Sequence, residues 1–508
     1  MDVPAPSRLA LPALVAAGGG CLFLLAARGQ YAQFLTLGMF GLWIACLLRI
    51  AGALNKAAFF WFGFFAVINP RKYFGLPEST SGIALSYGQA AYQFISVFDL
   101  ALLLLAALLF FGQLPGESRR SNSSLPKWTR IGLAGFAAVA IASCAYAPSI
   151  DRAIAQIVFD AKLVLMLAVL SSVFSDRKRL GEYLPLLVSG LVAACALEVF
   201  VSMLEYAGFL RTSRNILGVP VGKGLREVMA GATSMFRIAG TYGHANNLGA
   251  AMAAAGLLIW ELQIAVHPSL RWRKIAWGVW TGVVCVFLLS FSRGAWAAMA
   301  GAAAFYLPFA LKIQGRAWFN AFLKRYAFVS VFGAAVLIAV LWQPLERRLF
   351  HSDPGAIQSR VGINAASIDY VSKNPFFGGG IGNHSVLTEN YPYIREVTRF
   401  SRVPVPAHNI YLYWTTEIGF VGAFFYFLIP AGIFFSGMRR CLKYPKDPAA
   451  PIAFAFTNAI VIFWISDCFS PLTRQIDCAY LYWMLMGCAA GTQRLLGDSP
   501  ETPPALGT

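Results

Sequence analysis

A histidine, His408, stands where a long polar stretch meets an apolar one, in the string PAHNIYLYWTTEIGFVG. A neutral imidazole at such a boundary can take a proton from a hydroxyl group near neutral pH. Alternatively, the His408-Asn409 pair only caps the helix that follows, because Asn is a favoured N-cap residue. Glu417 would lie about 13 Å further along that helix, and we expect it to take part in interhelical packing.

Two arginines stand at the edges of apolar runs. Arg293 occupies a short turn in FSRGAWAAMAG, and Arg237 lies in FRIAGTYGHANNLG, just before a run that begins near His244. A charge near hydrocarbon is costly unless it finds a partner, so both are functional candidates. The alternative is an arginine that snorkels from a helix end. Asn246 and Asn247 are expected to cap the helix, in preference to contacting a sugar.

Basic residues also concentrate in two long polar stretches. Residues 208–243 carry five Lys or Arg against one Glu, and residues 343–407 carry seven against five acidic residues. Arginine suits phosphate oxygens because its planar fork donates two parallel hydrogen bonds. The excess therefore indicates an anionic ligand, with a merely solvated basic loop as the alternative.

Metal and nucleotide chemistry find little support in the sequence. The five histidines show no HxxxH or HExxH spacing and the chain has no DxD pair, so we predict no metal site and no cofactor. The nine cysteines lie mostly in apolar runs and are interpreted as small core residues. The GGGIGN string at 378–383 opens no P-loop lysine motif. We interpret it as a flexible turn that lets the loop fold over a glycan, and His384 after it is a minor candidate for a sugar contact.

The elements that position these residues are membrane helices. Of 508 residues, 58% are apolar and 13% are charged, whereas soluble domains carry roughly a quarter charged residues. Many apolar runs approach the ~20 residues that a helix needs to cross hydrocarbon. These runs are continuous, which favours helices over a closed barrel. The sequence predicts an all-α polytopic membrane protein with about 12–14 transmembrane helices.

Thirteen spans are predicted. They are Leu9–Ala27, Tyr31–Leu48, Ala90–Phe111, Ile131–Ala147, Gln156–Phe174, Tyr183–Ala207, His244–Ile264, Ile275–Phe291, Ala295–Leu311, Tyr326–Trp342, Ile410–Phe435, Ile452–Phe469 and Cys478–Gly491. The Phe-rich segment Ala57–Asn69 either crosses the membrane or forms a re-entrant or interfacial piece.

The short loops with clustered Lys and Arg all fall on one side of these spans, which the positive-inside rule makes the cytoplasm. Much of the net charge of +18 is therefore topology signal and attraction to acidic lipids. The expected organisation is transmembrane helices over residues 1–342 with an outward basic segment at 208–243, and a large loop on the same outward face at 343–407, which in a bacterium is the periplasmic face. Helices at 408–491 and a disordered cytoplasmic tail at 492–508 complete it.

Four strings in series resemble the O-antigen ligase and polymerase superfamily of bacterial envelope glycosyltransferases. They are FRIAGTYGHANNLG, FSRGAWAAMAG, SRVGINAASIDYVSKNPFFGGGIGN and PAHNIYLYWTTEIGFVG, and they extend from about Arg237 to Gly422. The resemblance implies a GT-C-like enzyme in the bacterial inner membrane with its active face in the periplasm. It also implies that Arg237, Arg293 and Arg360 bind the donor diphosphate and that His408 activates the acceptor hydroxyl.

The implied donor is an undecaprenyl-diphosphate-linked glycan, and the implied acceptor is lipid A-core or a growing glycan. Transfer would be metal-independent and inverting, and no nucleic acid is an expected partner. An O-antigen ligase is the first hypothesis, but polymerases and protein-directed glycan transferases share these motifs. A transporter or flippase is a further alternative. It would be expected to show charged or broken helices near mid-membrane, whereas the polar residues here gather at one face.

Overall fold

The computed structural model describes residues 54–68, 71–73, 94–111, 125–209, 237–266, 269–313, 354–392 and 407–497, together with short strands and single residues between them. The predicted spans Leu9–Ala27 and Tyr31–Leu48, and all but the last residue of Tyr326–Trp342, lie outside the described residues.

The described chain is helical. Its helices are α1 (Leu54–Phe65), α2 (Val97–Phe110), α3 (Lys127–Ser143), α4 (Ile150–Val173), α5 (Arg177–Tyr206), α6 (Ala245–Val266), α7 (Leu270–Leu289), α8 (Arg293–Ile313), α9 (Pro354–Lys373), α10 (His384–Thr388), α11 (Ile410–Lys443), α12 (Ala450–Asp467) and α13 (Ile476–Thr492). Two 3-10 turns follow α12 and α13, at Leu472–Arg474 and Gln493–Leu495.

Six of these helices, α4, α5, α7, α8, α11 and α12, are long and apolar enough to cross a membrane. The prediction of an all-α polytopic membrane protein is therefore confirmed. Helix α1, which is described from Leu54, packs closely on α5, where the rings of Phe59 and Tyr183 stack at 4.2 Å.

Three antiparallel ribbons of three-residue strands interrupt the helices. They pair β1 (Arg71–Tyr73) with β2 (Phe94–Ser96), β3 (Arg214–Ile216) with β4 (Val219–Val221), and β5 (Val228–Ala230) with β6 (Thr233–Met235). The last two ribbons lie in the basic segment 208–243. The segment predicted as a periplasmic loop, 343–407, contains helices α9 and α10. At the C-terminus, the 3-10 turn Gln493–Leu495 falls within the predicted tail, of which residues 498–508 lie outside the described chain.

Helices α12 and α13 form the centre of the bundle, and nearly all of their residues are buried. Helix α13 packs on α4, and α12 packs on α6. The basic ends of α5 and α11 meet at one end of the bundle, where Arg177 lies 2.9 Å from Asp447 and Arg440 donates to the carbonyl of Leu496 at 3.0 Å. Both arginines belong to the short basic loops that the positive-inside rule assigns to the cytoplasmic side.

Helix α11 is two helical arms joined at Gly419. The backbone of Gly419 adopts φ 66°, outside the helical region. The rings of Tyr411 and Phe427 approach to 4.8 Å, and those of Trp414 and Tyr426 to 4.3 Å. A straight helix would separate these pairs by about 24 Å and 18 Å along its axis. The first arm, residues 410–418, therefore packs against the second arm, residues 420–443, and the span predicted as continuous over Ile410–Phe435 is broken.

Candidate active site

Helix α8 places Arg293 at the rim of a cavity. Phe291 adopts a left-handed backbone, φ 47°, in the turn between α7 and α8. Ser292 then accepts a hydrogen bond from the amide of Ala295 at 3.4 Å, which satisfies one of the amides left free at a helix start. The turn exposes the start of α8 to the cavity, and the helix dipole there favours a negatively charged ligand.

The cavity brings together residues from four parts of the chain. Arg293 lines it together with Arg360 of α9 and Asn246 of α6. The remaining lining residues are Ser292, Gly294, Ala295, Ser466, Phe469, Ser470 and Leu472. Two guanidinium groups, a helix start and several hydroxyls thus surround one space, and none of the described residues that line it is acidic. Its volume is only about 20 Å³, close to the minimum that holds a single water.

Arg237 lies one side chain behind this cavity. It is 8% exposed, and its Nε donates to the carbonyl of Ser290 at 2.9 Å. Its Nη2 donates to Oδ1 of Asn246 at 2.8 Å, and that oxygen also accepts from Ser292 at 3.2 Å. The structure therefore brings Arg293 and Arg360 to one cavity, whereas Arg237 reaches it through Asn246.

Two buried glutamates of α5 hold the segment that follows Arg237. Glu205 accepts from the amides of Ala239 and Gly240, at 3.0 and 2.8 Å. Glu198 accepts from the amide and the hydroxyl of Thr241, at 2.9 and 2.6 Å. Four donors of an irregular buried segment are satisfied in this way. The sequence analysis missed both glutamates, although a carboxylate inside an apolar helix is itself a signal of function or structure.

His244, just before α6, and Asn246, in its first turn, have different roles. His244 accepts a hydrogen bond from the amide of Asn246 through Nδ1, at 3.1 Å, so the histidine helps to cap the helix. The side chain of Asn246 is thereby left to contact Arg237 and the cavity. The expectation that Asn246 caps α6 with its side chain does not describe the contacts that it makes.

His408 lies between α9 and the first arm of α11. Asn409, not His408, caps α11, because its Oδ1 accepts from the amides of Tyr411 and Leu412 at 2.9 and 3.1 Å. The backbone amide of His408 donates to Oδ1 of Asn364 on α9 at 3.2 Å. Burial, with the nearby positive charge of Arg360, lowers the pKa of His408 to about 4. The imidazole is therefore neutral near pH 7 and is in the form that accepts a proton.

The glycine-rich turn at 375–383 is wedged into the break in α11. The amides of Phe420 and Val421 donate to the carbonyls of Pro375 and Phe376, at 2.8 and 3.2 Å. A Cβ on Gly378, whose φ is 66°, would lie 2.6 Å from the backbone of Glu417. The glycines are thus required by left-handed backbone and close contact. The interpretation of this string as a flexible turn is wrong in the described structure, where the turn is packed against α11.

A buried ion pair lies beneath the first arm of α11. Arg474, in the 3-10 turn after α12, contacts Glu417 at 2.7 Å. Its guanidinium also lies 4.2 Å from the ring of Trp414. The other oxygen of Glu417 accepts from the amide of His384 at 3.1 Å, and the His384 ring stacks on Tyr413 at 4.4 Å. Glu417 therefore does take part in packing between elements, as expected, but as half of an ion pair whose partner the sequence did not indicate.

The described residues contain no group of three or more His, Cys, Asp or Glu side chains that could hold a metal ion. Among the described lining residues, the positive charges are those of Arg293 and Arg360. Two guanidinium groups at one cavity favour an anionic ligand, and the neutral His408 beside Arg360 is in the form that accepts a proton.

Comparison with known proteins bears on the same region. No curated protein matches the chain. A protein-family model described as O-antigen ligase matches residues 277–427. The matched region contains Arg293, Arg360, His408 and Glu417, whereas Arg237 precedes it. Over residues 277–427, the match supports the resemblance to the O-antigen ligase and polymerase superfamily that the motifs indicated.

Proposed function

We propose that this multi-pass membrane protein is a glycosyltransferase that moves a glycan from undecaprenyl diphosphate to a sugar hydroxyl, as an O-antigen ligase with lipid A-core as its acceptor. One observation carries the proposal: Arg293 and Arg360 line one cavity, and a neutral His408 lies beside Arg360. The family match supports glycosyl transfer of the ligase or polymerase type. We place the protein in the bacterial inner membrane, with this cavity on the periplasmic face.

In the proposed reaction, His408 takes the proton of the acceptor hydroxyl as its oxygen attacks the anomeric carbon. The new C–O bond forms while the bond from that carbon to the diphosphate breaks. Negative charge grows on the leaving diphosphate, and Arg293 and Arg360 stabilise it more in the transition state than in the ground state. The fixed cations supply the charge stabilisation that a metal ion gives in other transferases. Direct displacement inverts the anomeric centre.

A lipid-linked donor also needs an apolar surface near the cavity. A cavity of about 280 Å³ lies between α6, α7 and α8 and is lined almost entirely by apolar side chains. Met299, Ala303 and Tyr306 contribute to it, further along the helix that Arg293 begins. A donor whose diphosphate contacts Arg293 can therefore lay its polyprenyl chain along α8. Because the polar cavity itself holds about one water, we expect donor binding to widen it.

A polymerase that joins repeat units is the first alternative, because it would use the same cations and base on a different acceptor. A flippase for the lipid-linked glycan is the second. A flippase needs a polar path through the membrane, whereas the cavity with Arg293 and Arg360 lies at the start of α8. The neutral His408 beside Arg360 favours the enzyme, since transport requires no proton acceptor for a hydroxyl.

The test is a surface-polysaccharide gel of a deletion strain that carries the wild-type gene or a His408→Ala variant. A ligase predicts that polymer accumulates on the lipid carrier while lipid A-core stays bare, and that His408→Ala fails to restore ligation. Core that carries single repeat units, or loss of a separate exopolysaccharide, would indicate a polymerase. Full restoration by His408→Ala would overturn the proposed mechanism.

A further inference from the structure

Helix α9 presents two polar side chains to the candidate site. Arg360 lines the cavity, and Asn364 accepts the backbone N–H of His408 at 3.2 Å. The two residues are four positions apart, so their side chains lie on the same face of the helix. One face of α9 thus supplies both a proposed phosphate ligand and a contact to the proposed base.

The orientation of His408 depends on its backbone. Among the residues that the structure describes, no hydrogen-bond partner faces Nδ1 of His408. In many enzymes a carboxylate or carbonyl at the second ring nitrogen orients the catalytic imidazole. Here the direct hydrogen bond from α9 is made to the main chain of His408, so this contact takes over part of that orienting role.

A second contact holds α9 about one turn further along. Oγ of Ser367 lies 3.0 Å from Nε2 of His384, and the His384 ring stacks on Tyr413 of the first arm. Ser367 and His384 are both buried. The Asn364 contact thus joins the main chain of His408 to an anchored part of the helix that also carries Arg360.

We propose that Asn364 is a positioning residue that holds the base His408 in register with Arg360. This inference rests on the proposed glycosyl transfer, and it assigns Asn364 a role through His408 without contact to substrate. Loss of Oδ1 of Asn364, which accepts the hydrogen bond from the His408 amide, should lower the rate of the chemical step. It should leave binding of the lipid-linked glycan unchanged. Misplacement of a reacting group by about 1 Å can cost on the order of a hundred-fold in rate.

The experiment uses the full-length protein in lipid nanodiscs with a polyprenyl-diphosphate-linked glycan donor and a purified acceptor. Asn364→Leu has a side chain of similar size that cannot accept a hydrogen bond. It should lower kcat by ten-fold to a hundred-fold and change the KM for the lipid-linked glycan less than two-fold. Gln358→Leu, an exposed position on the same helix, is the matched control and should keep wild-type kinetics. An unchanged kcat in Asn364→Leu, or a change confined to KM, would overturn the inference.

Asn364→Asp separates positioning from folding. It keeps an acceptor for the amide of His408, so its kcat on the pH plateau should stay within three-fold of wild type. Its added carboxylate favours the imidazolium form of His408, so the acid limb of the rate profile should move to higher pH. A loss of plateau activity equal to that of Asn364→Leu, or an unmoved limb, would also overturn the inference. If wild type itself transfers no glycan, it is the proposed function that fails.

Discussion

The guanidinium of Arg474 lies 2.7 Å from the carboxylate of Glu417, and the two side chains are only 3% and 0% exposed. Glu417 lies near the end of the first arm of α11, and Arg474 belongs to the 3-10 turn after α12. The pair thus joins the arm that begins beside His408 to the centre of the helix bundle. Asp160 of α4 lies close enough to interact electrostatically with both members.

Removal of one member of this pair leaves a buried charge without compensation. We expect Arg474→Met to destabilise the protein by about 3–5 kcal/mol, measured as a lowered thermal unfolding temperature in detergent. The double variant Arg474→Met/Glu417→Leu should recover much of the loss, because it removes the stranded charge as well. The exposed pair Lys373–Asp369, at 2.7 Å, is the control: Lys373→Met should cost only about 0.3–0.5 kcal/mol. Equal losses for the two pairs would contradict the interpretation of burial.

Gly419 and Gly378 should not tolerate a side chain. Both have φ of 66°, and a Cβ on Gly419 would overlap the carbonyl of Phe376. We expect Gly419→Ala and Gly378→Ala each to lower the unfolding temperature and the yield of folded protein. Gly181, near the start of α5, has open space around it, so Gly181→Ala should be neutral or stabilise by roughly 0.5–1 kcal/mol. Normal behaviour of Gly419→Ala would show that the break in α11 does not depend on glycine.

The fall of kcat/KM at low pH, the acid limb of the pH–rate profile, should depend on the environment of His408. A pKa of about 4 means that the base is neutral at pH 7 and loses activity only as the pH falls through about 4. An imidazole with its ordinary pKa of about 6.5 would be half protonated at pH 6.5, so the acid limb would lie there. Profiles of kcat/KM against pH report the free enzyme and therefore test this value.

Arg360→Gln is the informative variant for that profile. This variant lacks the positive charge that opposes protonation of His408, so the acid limb of the pH–rate profile should move toward higher pH. The rate on the plateau should also be lower. A limb that stays in place would show that the charge of Arg360 is not felt at His408.

Arg293 and Arg237 should differ in what their loss does. Arg293→Ala removes a cation at the cavity and should lower kcat on the order of a hundred-fold to a thousand-fold. Arg237→Ala should act indirectly, because Asn246 and the carbonyl of Ser290 lose their donor, and should also lower the unfolding temperature. Arg271, exposed at the start of α7, is the control, and Arg271→Ala should retain full transfer. A stable Arg237→Ala with the kinetic defect of Arg293→Ala would instead indicate direct contact with the donor.

The membrane fold followed from the sequence because continuous apolar runs leave a bilayer-spanning chain few choices. Arg293 was found for a similar reason, since a charge in a three-residue turn between such runs is conspicuous. The break at Gly419 was not predictable, because a lone glycine inside an apolar run does not disclose a left-handed backbone. Only the contact with Phe376, more than forty positions earlier in the chain, makes that conformation necessary.

Pairs of distant polar residues were equally inaccessible. Glu417 and Arg474 were separate features of the sequence until folding brought them within 2.7 Å. Glu198 and Glu205 stand out as carboxylates in an apolar helix, but their partners, the amides of residues 239–241, carry no side-chain signature. A hydrogen bond between a side chain and a distant backbone amide produces no sequence motif, so such contacts cannot be predicted from the sequence.

The break in α11 also bears on how the protein is assembled. Pro375 and Phe376 supply acceptors for the amides of Phe420 and Val421, which a broken helix would otherwise leave unsatisfied in lipid. As one straight helix these 34 residues would be about 50 Å long, well beyond the ~30 Å of bilayer hydrocarbon. The folded-back arm that follows His408 and the docked 375–383 turn therefore depend on each other. The candidate site is complete only when both are in place.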